Sequence, residues 1–312
     1  MTRIAAIDLG SLTVRLAVAE VEEPGKFQVI LHRRAITGLG RKVMETGKLD
    51  TADQDRTLEA LRNFVGEMAR LDVARGLAVA TQAVRQAYNG EEFVQAAQEV
   101  LPVPVRLLSA EEEAYLTMHG VLSALDPKYL ETGPILIFDL GGGSSEFVLV
   151  RPEAEPRFAG LPLGVLSLSQ ARPLGDPPHP DRVADLKREL HRSLQMFYPH
   201  YFGVLLQKPP ILVGTAGSVT TLAAMDQDMR EYDPQRINNY VLTKQDITDM
   251  ATLLAALPEK ERAELPGIEP EKAGVMVAGA LIIQAILTVS GQDHLVAIDA
   301  GLLEGVLAEG AK

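Results

Sequence analysis

The chain has no cysteine and no tryptophan, and aromatic residues make up only 5% of its 312 positions. Without cysteine there can be no disulfide and no thiolate metal site, so stability must come from packed cores, as befits a reducing compartment. The six histidines show no metal-ligand spacing and none is assigned to chemistry. No apolar run is long enough for a bilayer. The most apolar helix candidate, 275–290, is too short, contains Gln284 and reads as a buried core helix. Positive charge is also scarce, with 30 Lys and Arg against 42 Asp and Glu, a formal net charge of −12. That balance argues against broad nucleic-acid binding, and any polyanionic ligand would have to be met by a local cluster of cations. Met1 leads straight into an apolar strand, without the basic-then-apolar build of a secretory leader. A cytoplasmic protein with no membrane or nucleic-acid partner is therefore expected. What is present is ordinary α/β composition, 46% hydrophobic, in a chain long enough for two domains.

The most informative stretch runs from Ile135 to Val150: an apolar strand, Asp139, the turn Gly141-Gly142-Gly143-Ser144-Ser145, then Glu146 and a second apolar strand. Two hydrophobic runs joined by a Gly/Ser turn form a β-hairpin. Successive glycines let the backbone approach a ligand, and bared N–H groups in such a turn make a concave site for phosphate. Asp139 and Glu146 would repel phosphate unless a cation lay between. The combination points to Mg²⁺, a hard ion that takes one or two carboxylates and keeps phosphate oxygens and waters.

The pattern occurs again in Ile4–Ala19, where an ungapped overlay matches Asp8 to Asp139, Gly10 to Gly141 and Thr13 to Ser144, with Ser11 inside the turn. One such turn is also readable as a tight hairpin. Two copies far apart argue for two similar lobes with a cleft between them. In this the chain resembles the actin-like ATPase superfamily, in which two such hairpins grip phosphates from opposite walls. The fold class expected is α/β, two actin-like (ribonuclease H-like) lobes, each a mixed sheet flanked by helices. The expected boundaries are 1–122 and 123–312, with the last helix, about 300–312, packing on the N-terminal lobe.

Between the repeats, residues 27–37 alternate weakly and predict a strand. The loop Thr37–Gly47, with Arg41 and Lys42 at its centre, is either a solvated loop or a phosphate-touching lip. Thr51 with Gln54 reads as a capping box ahead of an amphipathic helix carrying Leu58, Leu61, Val65, Met68 and Leu71. Arg85 follows the strand 76–80, at the end of a strand where open α/β sheets bind ligands, and its planar fork suits phosphate oxygens. A helix is expected over 91–101 and a strand over 103–108. In the acidic run after Ser109, Ser109 and Glu112 form a capping box and Glu111 faces solvent beside the helix dipole. Glu113 has no local role and is the candidate general base.

At this point the resemblance narrows to the exopolyphosphatase / guanosine pentaphosphate phosphohydrolase family. Six segments match in order: 7–11, 80–85, 108–114, 138–146, 213–218 and 299–305. The resemblance implies that Glu113 positions the attacking water and that Arg85 binds the terminal phosphate. It also implies that the glycine-rich turns hold the phosphates with Mg²⁺ through Asp8, Asp139 and Glu146. It departs at Leu12, where the family usually has Asn, at Thr13 for Ser, at Ala110 for Gly and at Leu303, often Arg. The chain matches the short, two-domain form.

In the second half, 163–168 reads as the end of a strand, 173–180 as a proline-rich loop and 181–201 as an amphipathic helix with His191 and His200 on its surface. Val213–Ser218 is a third strand–turn–helix junction, whose Gly214, Gly217 and Ser218 are candidate phosphate or guanosine contacts, or merely pack. Arg236, Asn238 and Asn239 lie on a polar loop of no assigned role. Gly301 opens the last helix and is expected to permit close helix approach. The expected activity is Mg²⁺-dependent release of terminal orthophosphate from inorganic polyphosphate, and also from guanosine pentaphosphate, with guanosine tetraphosphate a further ligand and a homodimer as the assembly. A small-molecule kinase of the same fold and a non-catalytic guanosine polyphosphate sensor stay open as alternatives.

Overall fold

The structure is a computed structural model that describes residues 2–23, 26–205 and 209–311. The chain forms two compact units, 1–123 with 300–312, and 124–299.

The first unit is built on a five-stranded mixed sheet. Its strands are β1 (Thr2–Leu9), β2 (Thr13–Glu23), β3 (Lys26–Ile36), β4 (Arg75–Ala80) and β5 (Val105–Leu107), in the order β3-β2-β1-β4-β5. β1 pairs antiparallel with β2 and parallel with β4. Numbering only helices of five residues or more, this unit carries α1 (Thr51–Arg70), α2 (Gln82–Gln86), α3 (Gly90–Val100) and α4 (Ala110–Ala124). Alternation along the strands divides its apolar residues between two layers. Ile7, Leu9, Val14 and Leu16 pack with Leu61, Phe64 and Phe93 from α1 and α3. Ile4, Ala6, Ala17 and Ala19 pack instead with Leu116 of α4 and with Leu302, Leu303, Val306 and Leu307.

The second unit repeats the plan. Its strands are β6 (Ile135–Leu140), β7 (Ser145–Arg151), β8 (Ala154–Leu161), β9 (Ile211–Thr215), β10 (Tyr240–Thr243) and β11 (His294–Ala297), in the order β10-β11-β9-β6-β7-β8. From β6 outward the sequence of pairings, an antiparallel hairpin on one side and a parallel strand on the other, is that of β1. Its helices are α5 (Val165–Ala171), α6 (Pro180–Tyr201), α7 (Gly217–Asp226), α8 (Lys244–Ala256) and α9 (Met276–Ser290). Most side chains of α9 are buried, as its largely apolar sequence requires. The last helix, α10 (Leu302–Gly310), lies against β1 and β2.

Two local expectations fail. Thr51 is not the cap of α1. Asp50 is, its carboxylate accepting from Ala52 N–H, and Gln54 instead donates to Leu49 O. An aspartate one residue earlier competes for the same orphan amides. Residues 163–168 do not end a strand either, because β8 stops at Leu161 and α5 begins at Val165. Gly164 caps it, and Val165, Ser167 and Leu168 form the buried face of a short helix. The polar loop without a role is a staple: Asn239, at φ 66°, accepts from Asp126 N–H and donates to Ala124 O, while Asn238 accepts from Asp299 N–H.

Candidate active site

The two glycine-rich turns share one hydrogen-bonding plan. In each, the first glycine donates its N–H to a carbonyl three residues on, Gly10 to Thr13 O at 3.2 Å and Gly141 to Ser144 O at 3.0 Å. In each, a second segment ties up the turn's other carbonyls from behind. Gly40 N–H donates to Ser11 O, and Thr37 and Gly38 N–H both donate to Leu12 O. In the second unit Val165 N–H donates to Gly141 O, Leu166 and Ser167 N–H donate to Gly142 O, and the Ser167 hydroxyl donates to Gly143 O at 3.1 Å. A Cβ on Gly164 would lie 2.4 Å from the backbone of Gly142 and Gly143, so glycine is required for this approach. Carbonyls consumed from behind leave the amides as the turn's open polar groups. Among the described residues no acceptor meets the N–H of Gly142, Gly143 or Ser144. Bare amides without competing carbonyls are what an anion needs.

The carboxylates differ between the turns. Asp8 stands directly across from Arg15 in the β1–β2 register, and Asp139 directly across from Glu146 in the β6–β7 register. Arg15 donates from Nε (3.1 Å) and Nη2 (2.8 Å) to the same oxygen, Asp8 Oδ2. Asp8 is 4% exposed, and its Oδ1 is buried with no hydrogen-bond partner. A stranded carboxylate oxygen of that kind is costly unless something satisfies it. In the second unit two acids, Asp139 and Glu146, stand opposite each other across the hairpin. Glu146 accepts from the Ser144 hydroxyl at 2.5 Å. Ser145, also proposed for phosphate, donates its hydroxyl to Leu163 O and is buried.

The first unit also brings together Arg85 and Glu113. α2 starts after β4 and ends at Gln86, so Arg85 lies one turn beyond the strand's end. Its Nη1 donates to Leu108 O (2.6 Å) and to Glu113 Oε2 (3.1 Å). No acceptor among the described residues meets its Nε or Nη2, so the other side of the fork is open to a ligand oxygen. Ser109 and Glu112 form the predicted reciprocal cap of α4, at 2.8 and 3.1 Å. The Ser109 N–H, and then its hydroxyl, hold the Glu112 carboxyl below its ordinary range. Glu112 is thus engaged locally, Glu111 is exposed, and Glu113 is mostly buried beside Arg85.

At the third junction, Ala216 adopts φ 73° and ψ 173°, a backbone region that favours glycine. A Cβ on Gly214 would meet the Phe138 ring at 2.7 Å, and Ser218 Oγ lies against Gly279, so both serve packing. Near Gly217 sits Lys272, buried and paired with Glu269 at 3.1 Å. Sequence reasoning did not find it, because no local motif marks a lysine that reaches a glycine turn 55 residues earlier. Among the described residues there is no cluster of three or more potential metal ligands.

The Ppx/GppA phosphatase family matches residues 17–312. The chain belongs to that family. Among its relatives, exopolyphosphatase 2 of Mycobacterium tuberculosis is 28% identical over 318 residues, covering 98% of each protein. The bifunctional 3-dehydroquinate synthase/phosphatase of Fusobacterium nucleatum is 26% identical over 320 residues, 99% of this chain but 46% of that protein, so the chain spans about half its length. A crystal structure of the Aquifex aeolicus Ppx/GppA family member is 32% identical, with TM-score 0.80 over 99% of this chain and 97% of that one. An exopolyphosphatase from Cytophaga hutchinsonii, 24% identical, matches in fold with TM-score 0.87 over 100% and 99% of the two chains. The fold class is accordingly the α/β, actin-like one of Ppx/GppA phosphatases, with two mixed sheets flanked by helices. No helix among the described residues is long and apolar enough to cross a membrane.

Proposed function

We propose that this Ppx/GppA family member is an exopolyphosphatase that releases terminal orthophosphate from inorganic polyphosphate with the help of a divalent cation. The observation that carries the reading is the repeated turn: in both units, carbonyls are bonded from behind while amides stand open to phosphate oxygens.

The donor set suits Mg²⁺. Asp8, Asp139 and Glu146 are hard oxygen donors, Asp8 Oδ1 lacks a partner, and Asp139 and Glu146 form a like-charged pair. Asp8 in the first unit, and Asp139 with Glu146 in the second, would each offer oxygens to such an ion, which would supply charge neutralisation on phosphate oxygens. The chain's own groups do the remainder. In the first unit the turn amides and the open side of the Arg85 fork hold the terminal phosphoryl oxygens, and the turn of the second unit offers its own amides to phosphate. Glu113, kept in place by Arg85, orients a water in line with the terminal phosphorus. The water oxygen bonds to that phosphorus as the bridging P–O bond breaks. The shortened chain leaves with the bridging oxygen, and the water's proton passes to Glu113 or to the released phosphate. Phosphoryl transfer asks mainly for positioning and electrostatic stabilisation, and these are the parts provided.

Orthophosphate release should be measured from polyphosphate and from guanosine pentaphosphate side by side, with Mg²⁺ and with a chelator. Release from polyphosphate that stops under chelation is the expected result. Absence of release, or release only when a phosphate acceptor is added, would overturn the reading, the latter in favour of a kinase. Hydrolysis of guanosine pentaphosphate at a comparable rate would extend the substrate class.

A further inference from the structure

Asp8, Arg15 and Arg34 stand in one row across β1, β2 and β3. Alternation puts Asp8 on the same face as Ile4 and Ala6, and Arg15 on the same face as Ala17 and Ala19. Those four small and apolar residues pack against α10, so the charged row lies on the face that α10 covers. His32, opposite Ala17, belongs to the same face. Around Asp8 the face therefore carries the cationic Arg15 and Arg34 as cross-strand neighbours, with His32 two residues along β3 from Arg34.

Glu304 brings a second acid to this face. It lies in the first turn of α10, and its Oε2 accepts the Gly301 N–H at 2.7 Å. Gly301 has no side chain to return the bond, so this is half of a capping box. Surrounding protein raises the Glu304 carboxyl above its ordinary range, while the Gly301 N–H and the charges of Arg15 and His32 favour its ionised form. A glutamine would satisfy the cap equally well. What glutamine would not supply is negative charge beside Arg15.

We propose that Glu304 is a positioning residue: acting through Arg15, it holds the Asp8 carboxylate with Oδ2 doubly bonded and Oδ1 left for the cation that accompanies the phosphates. Arg15 has a long, rotamer-rich side chain, about a third exposed, and a second acid restricts it to the geometry that fixes Asp8. Partners of this outer kind typically change metal affinity or activity by about 10–100-fold. The consequence for turnover rests on the exopolyphosphatase reading; the consequence for cation affinity does not.

The test uses the full chain and two variants. Glu304→Gln keeps the cap and removes the charge. Arg15→Lys keeps the charge and removes the fork. Mn²⁺ is titrated calorimetrically in the presence of imidodiphosphate, a phosphate analogue with no anhydride oxygen to lose. Each variant should weaken Mn²⁺ binding by about 10-fold or more, with an unchanged thermal midpoint for Glu304→Gln. The double variant should be no weaker than the worse single one, because both act through the same arginine. In turnover, the Mg²⁺ requirement should rise while KM for polyphosphate at saturating Mg²⁺ stays put. Wild-type Mn²⁺ affinity in Glu304→Gln, or a double variant equal to the product of the singles, overturns the proposal. A chain that releases no phosphate yet loses Mn²⁺ affinity on Glu304→Gln refutes the exopolyphosphatase reading and leaves the positioning role standing.

Discussion

One nitrogen of Arg85 bonds both Leu108 O and Glu113, and the rest of its fork remains open. That division suits Arg85 to the two roles proposed for it, support of Glu113 and phosphate ligand. Glu113→Gln should lower the phosphate release rate by about 10²–10⁴-fold with KM little changed, since it removes only a general base. Arg85→Lys keeps the charge but loses the fork, and steady-state kinetics should show both a higher KM and a lower kcat. Asp139→Asn removes one member of the facing carboxylate pair and should raise the Mg²⁺ concentration for half-maximal activity, read from a Mg²⁺ titration. Away from the site, the Tyr240 hydroxyl donates to Asp226 at 2.6 Å, and burial, followed by that bond, pushes its pKa up to about 12. A group whose folded pKa exceeds its unfolded value of about 10 contributes stability that is complete below that value. The contribution disappears as the pH rises through the folded value. Denaturant midpoints measured from pH 9 to 12 should therefore fall more steeply for the wild type than for Tyr240→Phe.

At the scale of elements, α4 carries Glu113, the proposed base, and α10 holds α4 in place. A Cβ on Gly120 of α4 would lie 1.9 Å from Gly301 O, and one on Gly305 of α10 would lie 2.0 Å from Leu116 O. The close approach expected at Gly301 is thus made by glycines on both helices, and it is the backbone of Gly301 that is approached. Because backbone, not a flexible side chain, is in the way, Gly120→Ala and Gly305→Ala should each cost at least about 1–3 kcal/mol of overpacking. Thermal denaturation would show the lower midpoint, and activity should fall further than stability because α4 shifts. The Ser109–Glu112 cap anchors the same helix, and Ser109→Ala should cost about 1 kcal/mol, read from chemical denaturation.

At the scale of the whole molecule, the proposed function sets a protein of formal charge −12 to act on a polyanion. On that proposal the long-range field would repel the substrate, while capture would depend on short-range contacts at Arg85 and the turn amides. Salt screens the first more than the second, because the Debye length shrinks from about 30 Å at 0.01 M to about 8 Å at 0.15 M. The association rate with polyphosphate should thus rise with ionic strength over that range at fixed free Mg²⁺, the reverse of a basic enzyme.

The amino-acid sequence by itself determined the two glycine-rich hairpins, the acid before each, the cap at Ser109 and the α/β class. Each is a local pattern whose physics, backbone freedom, alternation or amide capture, acts within a few residues. Even locally it misled where two caps competed, at Asp50 and Thr51, and where a short buried helix imitated a strand, after Leu161. Only the tertiary structure decided that Arg15 holds one oxygen of Asp8 and strands the other, that Arg85 pairs with Glu113, and that Gly164 backs the second turn. It alone brought Glu304, nearly the whole chain away, to the face that carries Asp8. Such contacts join residues through strand register and helix packing, and no spacing in a linear chain encodes which side chain will stand opposite which.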